Sequence, residues 1–157
     1  MSTTATPTVA LAELPHRVGQ ELAVGEWMPI TQERIAAFAD ATDDHQWIHL
    51  DPARAAAESP YGTTIAHGLL TLALIVPLVD RAVRLTGVRM VVNYGFDKVR
   101  FPSPVPAGAR VRARVAVGAT ETAKDGALQV VWKVAVEREG SDKPAVAAEW
   151  VVRYYAD

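Results

Sequence analysis

The chain changes its hydrophobic rhythm twice, and the two changes outline a fold. Early on, "ELAVGEWMPIT" alternates weakly and reads as a strand that ends at Pro29. "TQERIAAFADAT" then puts Ile35, Phe38 and Ala39 on one face of a short helix, with Thr31 placed to cap it and Glu33 in the first turn. "DPARAAAES" starts a second short helix, with Asp51 as cap and Pro52 at the first helical position, and Ser59, Pro60 and Gly62 end it. The next segment, "HGLLTLALIVPLVDRAVRLTG", is of another kind. Leu69, Leu70, Leu72, Leu74, Ile75, Val76, Leu78 and Val79 leave almost no polar face, and a helix apolar all round must be enclosed. Pro77 should kink it or sit where a missing N–H is tolerated, and Asp80, Arg81 and Arg84 mark its exit toward solvent.

Beyond that helix the period drops from about four to two. "MVVNYGFDKVRF", "ARVRARVAVGATET", "ALQVVWKVAVERE" and "AVAAEWVVRYYA" alternate and are rich in Val, Tyr, Trp and Phe, so they read as four strands. The separators "PSPVPAG", "AKDG" and "EGSDKP" carry turn chemistry, which makes the sheet antiparallel. The predicted class is α+β, an antiparallel sheet of about five strands wrapped round a long central helix. Residues 1–13 read as a flexible leader and residues 14–157 as a single domain. A single wrapped sheet leaves an edge to cover, so a homodimer is expected.

Composition narrows the function. Apolar residues at 50% and charged residues at 22% fit a folded globular chain and not a disordered one. A net charge of −2 with dispersed Lys and Arg gives no nucleic-acid groove, and "RVRARV" reads as a strand with one wet face. The absence of cysteine removes thiolate chemistry and Cys-based zinc sites. The longest apolar stretch, Gly68 to Val79, is too short to cross a bilayer, and the N-terminus lacks the pattern of a secretory signal. A cytoplasmic protein without membrane insertion is the expectation.

The candidate chemistry sits in "DDHQWIHLDP", Asp43 to Pro52. A carboxylate and an imidazole five residues apart on a constrained loop, Asp44 and His49, can converge on one water, one group holding or deprotonating it while the other moves a proton. The residues alone equally allow Asp44 to cap a turn and His49 to fill a polar niche. His49, flanked by Trp47, Ile48 and Leu50, is expected to be half-buried and fixed, whereas His45 lies in a polar run and is expected to be solvated. Asp40, Asp43 and Asp51 have helix-end explanations. Asp44, His45, His49 and His67 match no zinc spacing, so no metal is expected. Gly68 opens the apolar helix, and its N–H there suits an oxygen that gains negative charge; close packing under the sheet is a compatible reason for glycine. His67 reads as a helix-start or packing residue.

"FADATDDHQWIHLDPARAAAESPYGTTIAHGLLTLAL" resembles the hydratase motif of the MaoC-like hot-dog family of (R)-specific enoyl-CoA hydratases. "DHQWIH" and "NYGFDKVRFPSPVPAG" are most similar to its NodN-like, single-hot-dog branch, and the resemblance runs from about Val18 to Tyr155. It implies the hot-dog fold, catalysis by Asp44 and His49, and an oxyanion-binding N–H at Gly68. The implied reaction is reversible syn hydration of a trans-2-enoyl-CoA to a (3R)-3-hydroxyacyl-CoA, with an acyl-CoA thioester as substrate and no cofactor. Three positions depart from the family's usual pattern: Asp43 replaces a glycine, Gln46-Trp47 replaces Asn-Pro, and Ala73 stands where some relatives have a serine, with Thr71 as a weak substitute. Lys98, Arg100 and Arg110 are candidate CoA-phosphate contacts or ordinary solvated strand charges. Leu69, Leu72, Trp27, Tyr94 and the loop Pro102 to Pro106 are candidate acyl-tunnel residues. A hot-dog thioesterase and a non-catalytic acyl-CoA-binding protein are the alternatives.

Overall fold

The computed structural model describes residues 5–157. In chain order its elements are β1 (Thr8–Ala10), a 3-10 helix (Leu11–Arg17), β2 (Glu21–Val24), β3 (Met28–Pro29), α1 (Gln32–Thr42), α2 (Trp47–Leu50) and α3 (Pro52–Glu58), followed by α4 (Gly68–Ala73), α5 (Ile75–Ala82), β4 (Arg84–Thr86), β5 (Val88–Arg100), β6 (Arg110–Thr122), β7 (Leu128–Arg138) and β8 (Val146–Ala156). The main sheet runs β2-β6-β7-β8-β5, with β3 also on β6, and all its pairings are antiparallel.

The four long strands follow from their two-residue alternation. On β6, Val111, Ala113, Val115 and Val117 are fully buried, while the residues between them face water. Two of those outward residues are arginines of "RVRARV", and they find carboxylates on neighbouring strands: Arg112 and Arg114 donate to Glu137 at 2.7 and 3.0 Å, and Arg114 also bonds Glu21. The inner face takes the central helix, with Leu70, Ile75, Leu78, Val79 and Ala82 packed in one core with Trp132, Trp150 and Val152. This is the hot-dog arrangement: an α+β fold with a six-stranded antiparallel sheet curled round a helix.

That helix is in two pieces. Leu74 separates α4 from α5, with φ −71° and ψ −7°. Pro77 causes the break, because it has no N–H to bond the Ala73 carbonyl and its ring crowds that carbonyl. The enclosure is also one-sided. Leu69, Ala73, Val76 and Asp80, spaced along one stripe, are exposed. Beside them lies β5, a 13-residue edge strand on which Met90, Val91, Val92, Tyr94 and Phe96 are all exposed.

Two expectations differ from the structure. "ELAVGEWMPIT" is two short strands on the same partner rather than one, because residues 25–27 leave the ladder: four positions separate Val24 from Met28 but only three separate their partners Arg114 and Val111. Of the leader expected over residues 1–13, residues 1–4 lie outside the described residues, while Thr8–Ala10 pairs in parallel with β4, and Val9, Leu11 and Leu14 join the core. Among the described residues, no helix is long and apolar enough to cross a membrane.

Candidate active site

Two helix ends and one extended segment build the site. Thr31 caps α1 by accepting from the Arg34 N–H at 3.2 Å, and α1 ends at Asp43, the one non-glycine residue with positive φ, 58°, among the described residues. Aspartate tolerates the left-handed region better than most residues, and it is a conformation that glycine adopts most freely. The turn there sends Asp44 back toward α4. Asp51 caps α3 by accepting from the Arg54 N–H at 2.9 Å, with Pro52 in the first turn. Between these helix ends lies the single turn α2, which carries His49.

His49 is held on three sides. Its Nδ1–H donates to the Ile65 carbonyl at 2.7 Å, and the Ile65 N–H donates to the Ile48 carbonyl at 3.1 Å. The Gln32 amide of α1 donates to the His49 carbonyl at 2.7 Å and accepts from the Thr64 hydroxyl at 2.6 Å. With Nδ1 occupied as a donor, Nε2 is the basic nitrogen of the neutral ring. Burial lowers the His49 pKa below its ordinary 6.5, and neighbouring His67 adds to this, against the Ile65 hydrogen bond and the Asp44 charge.

Ring nitrogens of His49 and His67 and a carboxylate oxygen of Asp44 all lie within 4.8 Å of one another. Asp44 keeps a half-exposed side chain, whereas His49 and His67 are buried. The His67 ring stacks on His49 at 3.7 Å between centroids and 24° between planes, and its Nε2–H donates to the Asp44 carbonyl at 3.0 Å. A single ion bound by both imidazoles would have to lie near both ring planes, about 2 Å from each nitrogen. Rings stacked face to face do not offer that, so the cluster is a poor fit to a shared metal.

Gly68 follows His67 at the start of α4, so its N–H has no intrahelical acceptor. It lines a cavity of about 260 Å³ with Ile65, Ala66, Thr71, Phe101 and the Pro102–Val105 loop. Phe101 covers the glycine so closely that a Cβ there would sit 3.2 Å from the ring. Asp44 and His49 are not part of that lining; they join it through Ile65, whose carbonyl holds the His49 ring.

Other candidates separate from the site. His45 sits on the surface against Asp40 at 2.9 Å, and that hydrogen bond raises its pKa. Ala73 is exposed on the outer stripe, whereas Thr71 is buried in the cavity wall. Trp27 lies under Arg112 at 4.4 Å on the outer face of the sheet, outside the cavity that Gly68 lines, and Arg110 is paired with Glu139. Trp47 anchors its loop through Arg54, stacked 4.3 Å from the indole. Gln32 was not among the candidates read from the sequence, and His67, which does sit at the start of α4, was read only as a helix-start or packing residue. Gln32 carries no signal, being one polar residue in the first turn of a helix. For His67 the only signal was its place before Gly68.

The family described as MaoC like domain matches residues 13–139. The chain belongs to the MaoC-like domain family. It is 50% identical over 147 residues to 3-hydroxyacyl-thioester dehydratase Z of Mycobacterium tuberculosis, covering 94% of this chain and 97% of that one. It is 44% identical over 149 residues to Nodulation protein N of Rhizobium leguminosarum bv. viciae, covering 91% and 89%. Among solved structures, the (R)-hydratase from A. caviae involved in PHA biosynthesis superposes with a TM-score of 0.65 at 29% identity, over 85% of this chain and 98% of that one.

Proposed function

We propose that this protein is an (R)-specific enoyl-CoA hydratase, adding water syn across a trans-2-enoyl-CoA to give a (3R)-3-hydroxyacyl-CoA, and reversing the reaction. The observation that carries the reading is the convergence of Asp44 and the His49 ring, with His49 Nδ1 consumed as a donor and Nε2 left basic. The names of the 50% identical dehydratase and the superposing (R)-hydratase support the reaction class and its stereochemistry.

In this mechanism the Gly68 N–H polarises the thioester carbonyl, and C3 of the enoyl group becomes electrophilic. Asp44 and His49 hold one water and remove its proton as its oxygen bonds to C3. The electron pair of the C2=C3 double bond moves toward the carbonyl as an enolate, and a proton delivered by the pair to C2 restores the carbonyl. One water is consumed and the two side chains end in their starting protonation states. The chemistry requires neither a redox cofactor nor a metal.

A second copy of the chain covers the exposed stripe of α4 and α5 and the unpaired β5 edge. Long apolar edges of this kind are pairing surfaces. A spectrophotometric assay separates hydratase from thioesterase: the former consumes enoyl absorbance without releasing thiol, and the latter releases free CoA.

A further inference from the structure

His67 has more attachments than a packing residue needs. Only 3% of it is exposed, and its ring meets Phe38 at 5.0 Å as well as His49 at 3.7 Å. A carbonyl can only accept, so the bond to Asp44 makes Nε2 the donor, and the Asp44 carboxylate lies 4.0 Å from the same nitrogen. Nδ1 is buried with no partner among the described residues. Leaving a buried nitrogen unsatisfied is costly, and phenylalanine would avoid that cost at this place. The imidazole is therefore explained by its Nε2–H and by the ring it stacks on.

We propose that His67 is a positioning residue that clamps Asp44 to His49. The proposal rests on the dyad reading above. One N–H fixes the backbone of Asp44 just beyond the left-handed turn at Asp43, where the loop has no regular structure. The ring face fixes the plane of His49. Through these two contacts His67 sets the distance between groups that must share one water, although it touches neither substrate nor water itself. The titratable groups facing His49 are His67 and Asp44, while α1 contributes the neutral Gln32.

Two variants separate the parts. His67→Gln keeps a donor near the Nε2 position and removes the ring; His67→Phe keeps a stacking ring and removes the donor. The expected result for His67→Phe is a fall in kcat of roughly 10- to 100-fold with KM within about threefold, because misplacement of reacting groups is read in the chemical step. Both variants should move the acid limb of kcat/KM to higher pH, since His67 adds to the lowering of the His49 pKa. Combined with Asp44→Asn, His67→Phe should add no further loss. Wild-type kcat in His67→Phe, or losses that multiply in the double variant, would overturn the clamp. Should His67→Phe fail to fold, His67→Gln decides alone: an unmoved acid limb overturns the proposal. Full activity in Asp44→Asn and His49→Ala sinks the dyad and the clamp together, whereas loss in those two with an unmoved limb in His67→Gln sinks only the clamp.

Discussion

The Nδ1–H of His49 donates to the carbonyl of Ile65 at 2.7 Å, which leaves Nε2 as the basic nitrogen of the neutral ring. Burial is the largest cause lowering this imidazole's pKa below 6.5, so its base form persists into mildly acid solution. The acid limb of kcat/KM, measured across pH 4.5 to 8 (roughly two units either side of an ordinary histidine), should therefore fall below pH 6.5. A limb above that value would mean that another group carries the base.

The same shift has a consequence for stability. The folded pKa lies below the unfolded one, so the unfolded chain binds the proton more readily. The contribution to stability is fully present above the unfolded value of 6.5 and is lost as pH falls through the folded value. Urea midpoints for wild type should drop between pH 7 and pH 5 by more than those for His49→Phe; equal drops would place the acid sensitivity elsewhere.

Gln32 ties three segments through one amide, bonding the His49 carbonyl at 2.7 Å and the Thr64 hydroxyl at 2.6 Å. Gln32→Leu leaves a buried hydroxyl and a carbonyl without partners, and should cost about 1–3 kcal/mol in urea unfolding. Activity should fall with it, because α2 loses its tether to α1. Unchanged stability and rate would show that water replaces the amide.

Gly68→Ala brings a methyl group to 3.2 Å from the Phe101 ring, which is 46% exposed and free to swing. The ring should be pushed into the cavity and raise KM, at a stability cost of about 1 kcal/mol. Phe101→Ala in the same chain should restore KM, as steady-state kinetics would show; no restoration would mean that the methyl blocks the carbonyl site directly.

Much of the fold was legible because burial leaves a period in the sequence. The alternation on β6 and the caps at Thr31 and Asp51 are local signals, and each corresponds to a hydrogen bond or a buried row in the structure. The strand at Thr8–Ala10 was not legible: three residues hold no period, and its partner at Arg84–Thr86 lies more than seventy residues away. Within the candidate site, "DDHQWIHLDP" marked Asp44 and His49 because aromatic and aliphatic neighbours frame the imidazole. The contacts of His67 with His49 and Asp44 were not legible, because they cross 18 and 23 residues of chain. Asp43 became intelligible only through its backbone angle.

The β5 edge gives a prediction about assembly. Wild type should sediment at twice the chain mass, and Val91→Lys, which puts a charge on a residue 52% exposed at that edge, should shift it toward the monomer. A monomeric wild type would contradict the proposed pairing.

The central claim is that Asp44 and His49 together activate one water. The direct measurement is the loss of enoyl absorbance with crotonyl-CoA and longer enoyl-CoAs for wild type, Asp44→Asn and His49→Ala, each checked for folding by circular dichroism. Hydration by wild type without thiol release, and a fall of more than about 10²-fold in both variants, is the expected result. Retention of rate within that margin by either folded variant would contradict the dyad.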